Sequence, residues 1–296
     1  MILVVGSTGM VGSEICRLLA SKGIPFRALV RESSDPAKVE RLKGYGAQLV
    51  KGNLCDTASL KTACQGVSAV ICTVSAMPFC YQPGVNDIQS VDFEGVTNLI
   101  EAAKAAGVKH LIYTSFSGNL DREFPLRNAK RTVEQRLKES GLVYTILRPS
   151  MFMEVWLSPA VGFDAANSKA TVYGTGDQLI AWITIKDVAQ FAVESLENPA
   201  ARNRVLELGG PKPLSPHQVI KIFEDAMGKT FEVTHVPPEA LQAQYAGATD
   251  PMQKSFIGLM LCYAGGDPID MSAIQKAFAV HLTPIKEYVA GMKAPA

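Results

Sequence analysis

Charge imbalance, clustered histidine and paired cysteine are all missing from this chain. Across 296 residues, 29 Lys and Arg meet 28 Asp and Glu for a formal net charge of +1, with no basic run and no basic aromatic surface motif. Nothing therefore recommends nucleic acid as a partner. The four histidines, His110, His217, His235 and His281, are too dispersed for a metal site, and none is expected. No apolar stretch approaches the roughly 20 residues a helix needs to cross a bilayer, so no membrane partner is expected. The chain opens on an apolar run that reads as a core strand, which leaves no room for a signal peptide, and a soluble cytoplasmic protein is the expectation. The six cysteines include no CxxC pair; Cys16, Cys64 and Cys72 fall on apolar faces and read as reduced core thiols, while Cys80 alone lies in a loop near the expected ligand.

What the chain does have is a glycine pattern at its start. Ile2 to Val5 read as a buried strand that delivers into glycines at 6, 9 and 12, followed by a helix pattern from about Met10 to Ser21. Gly6 permits a turn that a Cβ would obstruct, Gly9 lets the main chain approach a pyrophosphate, and Gly12 keeps the first helical turn near the sheet. The helix then points its N-terminal amides at phosphate oxygens. Strand, glycine turn and helix together predict a dinucleotide site.

The residue after the second strand indicates which dinucleotide. An acidic residue about 20 positions beyond the glycines takes the ribose hydroxyls in the common NAD arrangement. Here Phe26-Arg27-Ala28-Leu29-Val30 is followed by Arg31, with Glu32 one position further on. A guanidinium suits a ribose 2′-phosphate, which it holds with two hydrogen bonds. NADP(H) is therefore favoured over NAD(H).

With 47% hydrophobic residues the chain buries a sizeable core, as one large α/β unit or as a Rossmann domain with a smaller lobe. Strands and helices alternate: strand near 47–50, helix 57–65, strand 68–73, helix 88–106, strand 109–114, helix 126–140, strand 143–148. That order predicts a doubly wound parallel sheet with crossover helices on both faces. Ligand is expected at the carboxyl ends of the strands, which carry Gly6, Arg31, Asn53-Leu54, Thr73-Val74-Ser75, Thr114-Ser115 and Pro149. Residues 1–150 thus read as the NADP-binding Rossmann domain. Residues 151–296 read as a smaller, mostly helical substrate lobe, interleaved with it: a strand at 179–184, a helix from Lys186 and a strand at 204–208 are expected to rejoin the sheet. Ser215-Pro216 reads as a helix start and 230–236 as a strand.

Several segments carry a resemblance. Gly6-Ser7-Thr8-Gly9-Met10-Val11-Gly12, Ala28-Leu29-Val30-Arg31, Gly52-Asn53-Leu54-Cys55-Asp56, Ala105-Ala106-Gly107-Val108-Lys109-His110 and Thr145-Ile146-Leu147-Arg148-Pro149 together resemble the NmrA-like branch of the atypical short-chain dehydrogenases/reductases. That branch includes isoflavone-reductase-like enzymes, triphenylmethane reductase, small quinone reductases and the non-catalytic regulator that names it. The resemblance is strong to about residue 210 and loose beyond. It implies that Gly6, Ser7, Thr8, Gly9, Met10 and Val11 wrap the pyrophosphate, that Arg31 takes the 2′-phosphate, and that Asn53 and Leu54 lie along the adenine. Family members often carry aspartate at position 53, where asparagine can both donate and accept hydrogen bonds. Thr73, Val74 and Ser75 are implied beside the ribose and nicotinamide, and Pro149, Ser150, Met151 and Phe152 over the nicotinamide face.

The catalytic pattern departs from the wider superfamily, which uses Tyr-x-x-x-Lys on the fifth crossover helix. Lys130 matches the lysine, but the position four before it is Leu126, so the usual proton donor is missing. Lys130 is implied to bind ribose hydroxyls; the lesser reading, by charge pattern alone among Arg127, Arg131 and Arg136, is a helix-surface lysine. Ser115 matches the serine that orients a carbonyl and is also an ordinary strand-end residue. Tyr81, in a Pro/Gly-flanked loop, is the one candidate replacement acid.

Without a positioned acid, simple ketones are demanding acceptors, because general acid help is typically worth ~10²–10⁴ in rate. Quinones, conjugated enones and cationic dyes spread the developing charge and rely on positioning. Met77, Pro78, Phe79, Tyr81, Phe116, Phe152, Met153 and Trp156 are expected to supply an apolar, planar slot for such an acceptor, although each is also a residue a core uses. The reading is an NADPH-dependent reductase of planar unsaturated acceptors, monomeric or homodimeric; the alternative is a non-catalytic NADP(H) sensor.

Overall fold

Strands buried on both faces need helices on both sides, and the sequence supplies them in strict alternation. The structure, a computed structural model, describes residues 1–77 and 81–293. The order begins β1 (Ile2–Val5), α1 (Met10–Ser21), β2 (Phe26–Val30), α2 (Pro36–Gly44), β3 (Gln48–Lys51), α3 (Thr57–Cys64) and β4 (Ala69–Cys72). A π-helical segment (Ile88–Gly95) then runs into α4 (Val96–Ala105), followed by β5 (His110–Thr114), α5 (Pro125–Glu139) and β6 (Val143–Pro149). Beyond these come α6 (Met153–Trp156), β7 (Phe163–Asp164), β8 (Lys169–Tyr173), α7 (Ile185–Glu194), β9 (Arg204–Leu208), α8 (Pro216–Met227) and β10 (Glu232–Val236). The chain continues through α9 (Pro238–Gly247), α10 (Pro251–Gly265), α11 (Ser272–Ala277) and α12 (Ile285–Lys293).

The large sheet has the order β3-β2-β1-β4-β5-β6-β9. Its pairs from β3 through β6 are parallel. β9 follows β6 in the same sense: the Asn203 N–H donates to the Tyr144 carbonyl near one end and the Ser150 N–H to the Leu208 carbonyl near the other. Strand order reverses between β1 and β4, which opens a crevice at their carboxyl ends. Every residue of β1, β4 and β5 is buried.

The chain divides into two compact units. The first comprises Met1–Ser115, Pro125–Leu147 and Val188–Leu206; the second comprises Phe116–Phe124, Arg148–Asp187 and the chain from Glu207 onward. In the first, Leu3, Val70, Leu99, Leu111, Val133 and Leu137 belong to one buried cluster. Cys16, Cys64 and Cys72 are buried free thiols, and burial pushes them up to about 12, 11 and 11, so they stay protonated at neutral pH. The second unit holds a small sheet of order β10-β8-β7 beside α8 to α12. There Tyr263 packs against Trp156, Tyr173 and Trp182. Ser215 caps α8 in a reciprocal box with Gln218, with Pro216 opening the helix.

Several elements differ from the sequence reading, which named neither β7 nor β8. Residues 179–184 form no strand: Ile180 bridges singly to Leu214 and to Asp267, and Ile183 to Phe152. Ile180 to Ile183 are all buried, and an apolar run this short has the same pattern as a strand when it threads a core as coil. The helix expected over 88–106 starts as a π turn, and Gly95 marks the change of register. A Cβ there would lie 2.7 Å from Leu54 Cβ and 2.9 Å from the Ser90 carbonyl. The sequence reading also passed over α2, although Asp35 caps the Ala37 and Lys38 amides ahead of Pro36. Among the described residues no helix is long and apolar enough to cross a membrane.

A buried histidine ties the sheet together on its far side. Thr145 O–H donates to the Ala201 carbonyl at 2.8 Å, so the 2.8 Å contact to His110 Nε2 is an N–H donated to Thr145 Oγ1. Burial, with Arg202 adding to it, pushes His110 down from 6.5 to about 4. Between those values the unfolded chain binds more protons than the folded one, so stability falls as pH falls. Urea unfolding is expected to show a loss of about 2 kcal/mol from this group between pH 7 and pH 5, and His110→Gln, which does not titrate, removes that component.

Candidate functional site

The site begins with backbone geometry at the end of β1. Gly6 turns at φ +87°, and a Cβ on Gly12 would lie 2.0 Å from the Gly6 carbonyl oxygen. The first turn of α1 is thus pressed onto the preceding turn, an approach only glycine allows. Gly9 caps α1 with no side-chain bond to the first-turn amides. Those amides and the positive end of the helix are an arrangement that suits an anion. Ser7 is fully buried and donates to the Leu29 carbonyl at 2.7 Å, so its side chain fastens the turn to β2.

A cleft at the carboxyl ends of β1 to β4 is lined by Gly6, Thr8, Gly9, Arg31, Asn53, Leu54, Thr73, Val74 and Ser75. Leu29, Ser34, Gly52, Asn86 and Val91 line it as well, and the sequence reading gave none of these a site role. Arg31 is exposed and its Nη1 donates to Asn86 Oδ1 at 2.7 Å. Glu32, the nearest acid, pairs instead with Lys51 at 2.8 Å on the surface. Asn53 Oδ1 accepts from the Cys55 amide at 3.1 Å and shapes its own turn. Ser7 and Met10 line a neighbouring hollow with Ser13, Lys38 and Arg41.

Lys130 lies in the interior, which overturns the helix-surface reading. Its side chain is 6% exposed and pairs with fully buried Asp92 at 3.4 Å. Its Nζ also donates to the carbonyls of Val74, at 3.3 Å, and Thr114, at 3.5 Å, and contacts the Tyr113 hydroxyl at 3.5 Å. Asp92 Oδ2 accepts from the Ala76 amide at 3.0 Å. Tyr113 is wholly buried, and burial together with Asp92, Cys72 and Glu134 holds its phenol well above the usual tyrosine range. It therefore remains a phenol with no access to an acceptor. Asp92 was visible as the one carboxylate one turn from Ile88 and Val96 on the buried helix face.

Ser115 is buried, and its Oγ accepts from Arg131 Nη1 at 3.2 Å, while Arg131 also pairs with buried Glu134 at 2.7 Å. Tyr81 is half-buried against the core of the first unit, and Met77 is half-buried. Phe79, with Pro78 and Cys80, lies outside the described residues. Pro149, Ser150, Met151, Phe152, Phe116, Met153 and Trp156 belong to the second unit. Within it Met153 is wholly buried, Trp156 stacks on Tyr263 at 5.3 Å, Phe116 stacks on Phe124 at 5.9 Å and Phe152 is half-buried. Met153 and Trp156 are thus core residues of their unit. Among the described residues no group of three or more His, Cys, Asp or Glu could hold a metal ion.

A parallel sheet with a glycine turn at its switch point is a Rossmann-like, dinucleotide-binding architecture. The NmrA-like family profile matches residues 1–289, and the chain belongs to that family. It is similar to an NAD(P)H azoreductase of Xenophilus azovorans, 32% identical over 253 residues that span 85% of this chain and 82% of that protein. It is also similar to the photosystem II assembly factor Ycf39 of Trieres chinensis, 29% identical over 238 residues, 80% of this chain and 72% of that one. Among solved structures it resembles an NADPH-dependent quinone oxidoreductase from Escherichia coli complexed with NADPH. That likeness has a TM-score of 0.79 at 25% identity and covers 99% of this chain and 100% of the other.

The buried pair gives a direct test of the site's frame. Asp92→Ala strands the Lys130 ammonium in the interior and leaves the Ala76 amide unpaired, and is expected to cost about 3–5 kcal/mol in urea unfolding. Replacing both partners, as Asp92→Leu with Lys130→Met, is expected to recover most of that loss.

Proposed function

We propose that this protein is an NADPH-dependent reductase that passes hydride directly to a planar unsaturated acceptor such as a quinone, an enone or a cationic dye. The observation that carries this reading is the cleft in the first unit, where the uncapped start of α1 and the Arg31 guanidinium face one space with no acid at the ribose position. The glycine turn and the Arg31 fork fit a dinucleotide bearing a 2′-phosphate. When bound, the nicotinamide supplies the hydride. The chain's own contribution is to bind and orient: Gly6 to Gly12 cradle the pyrophosphate, Arg31 takes the 2′-phosphate, and Asn53 and Leu54 flank the adenine. Thr73 to Ser75 carry the binding groove toward the reacting end, and Lys130 stiffens it from behind through the Val74 carbonyl.

No tyrosine stands four residues before Lys130, and Tyr113 is sealed in the core. Acceptors that delocalise negative charge, or discharge a positive one, need no positioned acid at the moment of transfer. This is why planar unsaturated acceptors are favoured over simple ketones. The similarity to an azoreductase and to a quinone oxidoreductase supports the same class.

A second reading has its own observation. Lys130 is engaged by Asp92 and two carbonyls, and position 126 is leucine, an arrangement that also suits a protein that binds NADP(H) and reports it to a partner. The similarity to a photosystem II assembly factor supports a role beside a protein partner.

Oxidation of NADPH by the purified protein against quinones, enones and cationic dyes, with NADH in parallel, separates the two. Turnover that prefers NADPH supports the reductase; tight cofactor binding with no turnover on any acceptor supports the sensor. Arg31→Ala is expected to weaken NADPH binding roughly 10- to 100-fold and leave NADH unchanged, the loss expected for a hydrogen bond to a charged group. Tyr81 is the candidate replacement acid: Tyr81→Phe is expected to change turnover and its pH profile, and an unchanged profile would remove it from that role.

A further inference from the structure

An exposed arginine samples many rotamers, and ordering it costs free energy that a bound phosphate must offset. Arg31 is not left to do so. The segment 82–86 is closed on itself: the Gln82 N–H donates to the Asn86 carbonyl at 2.9 Å and the Asn86 N–H to the Gln82 carbonyl at 2.8 Å. Gly84 turns the loop at φ +73°. The result buries Asn86, 9% exposed, and sets its Oδ1 2.7 Å from Arg31 Nη1, on the wall of the cleft.

The neighbouring carboxylate is turned away. Asp87 accepts from the Ser90 amide and hydroxyl through Oδ1 and from the Gly84 amide through Oδ2, each within 2.7–2.8 Å. The Ser90 amide bond is the chief reason its carboxyl is held below the usual range. Of two adjacent residues of nearly the same shape, the neutral one meets Arg31 and the charged one caps its own helix.

We propose that Asn86 is a specificity-determining positioning residue, an uncharged anchor that holds the Arg31 fork toward a ribose 2′-phosphate without neutralising it. A carboxylate at position 86 would occupy the same guanidinium and repel the phosphate; an amide holds one N–H and leaves the charge in place. Selection for the phosphorylated ribose therefore belongs to the Arg31–Asn86 pair. This rests on the dinucleotide reading above.

The test is calorimetric titration of the full chain with 2′,5′-ADP and with 5′-AMP, which share the adenosine and differ in the 2′-phosphate. The wild type is expected to prefer 2′,5′-ADP. Asn86→Ala is expected to lower that preference about 3- to 10-fold, the range for releasing one ordered side chain, and Asn86→Asp to lower it by roughly 10-fold or more. Affinity for 5′-AMP, unchanged in both variants, also reports that they are folded. Equal weakening of both ligands would make Asn86 a reader of adenosine and overturn the proposal. So would tighter 2′,5′-ADP binding by Asn86→Ala, which would mark Asn86 as a competitor. A preference that survives Asn86→Asp overturns the role of Asn86 alone, whereas no preference in the wild type overturns the reading of Arg31 and this proposal with it.

Discussion

The contact between the first turn of α1 and the Gly6 carbonyl sets the rest of the first unit. With only 2.0 Å between that oxygen and the place a Gly12 Cβ would occupy, helix and turn come together only if both positions lack side chains. A Cβ on Gly6 would also meet Thr73 Oγ1 at 2.8 Å, so the same turn fixes how β4 leaves the sheet. From these two approaches follow the direction of the α1 amides, the crevice between β1 and β4, and the line of the groove from Arg31 to Ser75. In the proposed function, phosphate affinity comes from this backbone and side chains are left to discriminate.

Charge inside the unit is handled the same way, by fixing it in place. Lys130 and Asp92 are both removed from water, and their mutual attraction offsets that cost only because carbonyls and an amide satisfy the remaining positions. The lysine that the wider superfamily pairs with tyrosine is here a brace between α5, the π segment and the strand end at Val74. Under the proposed function, that burial fits chemistry that relies on positioning more than on proton delivery.

The fold was largely legible because it is written in periodicities that act locally. The β1 strand, the glycine turn and α1 fall where spacing put them, as do the alternating elements through β6 apart from α2, which was passed over, and the π start of the helix expected over 88–106. Reading failed where an apolar run met several partners at once: 179–184 is as apolar as a strand but bridges to three separate segments. Of the residues named for their place at strand ends, Gly6, Arg31, Asn53, Leu54, Thr73, Val74 and Ser75 line one cleft, since topology brings the ends of β1 to β4 together, whereas Thr114, Ser115 and Pro149 are not on it. Asn86 was not legible, because its meaning is a contact to a residue 55 positions away across a loop with no periodic signal. Trp156 and Met153, expected at a substrate, are buried in their unit, and aromatic and thioether side chains serve a core and an apolar slot with the same sequence signature.

The central claim is direct hydride transfer from NADPH, and the most direct test follows the atom. NADPH carrying deuterium at nicotinamide C4 is incubated with the protein and an enone or cationic dye that is reduced at carbon, and the product is weighed by mass spectrometry. Deuterium retained in a carbon–hydrogen bond of the product is the expected result. Saturable cofactor binding without labelled product from any such acceptor would contradict it and leave the protein a reader of NADP(H) rather than a user of it.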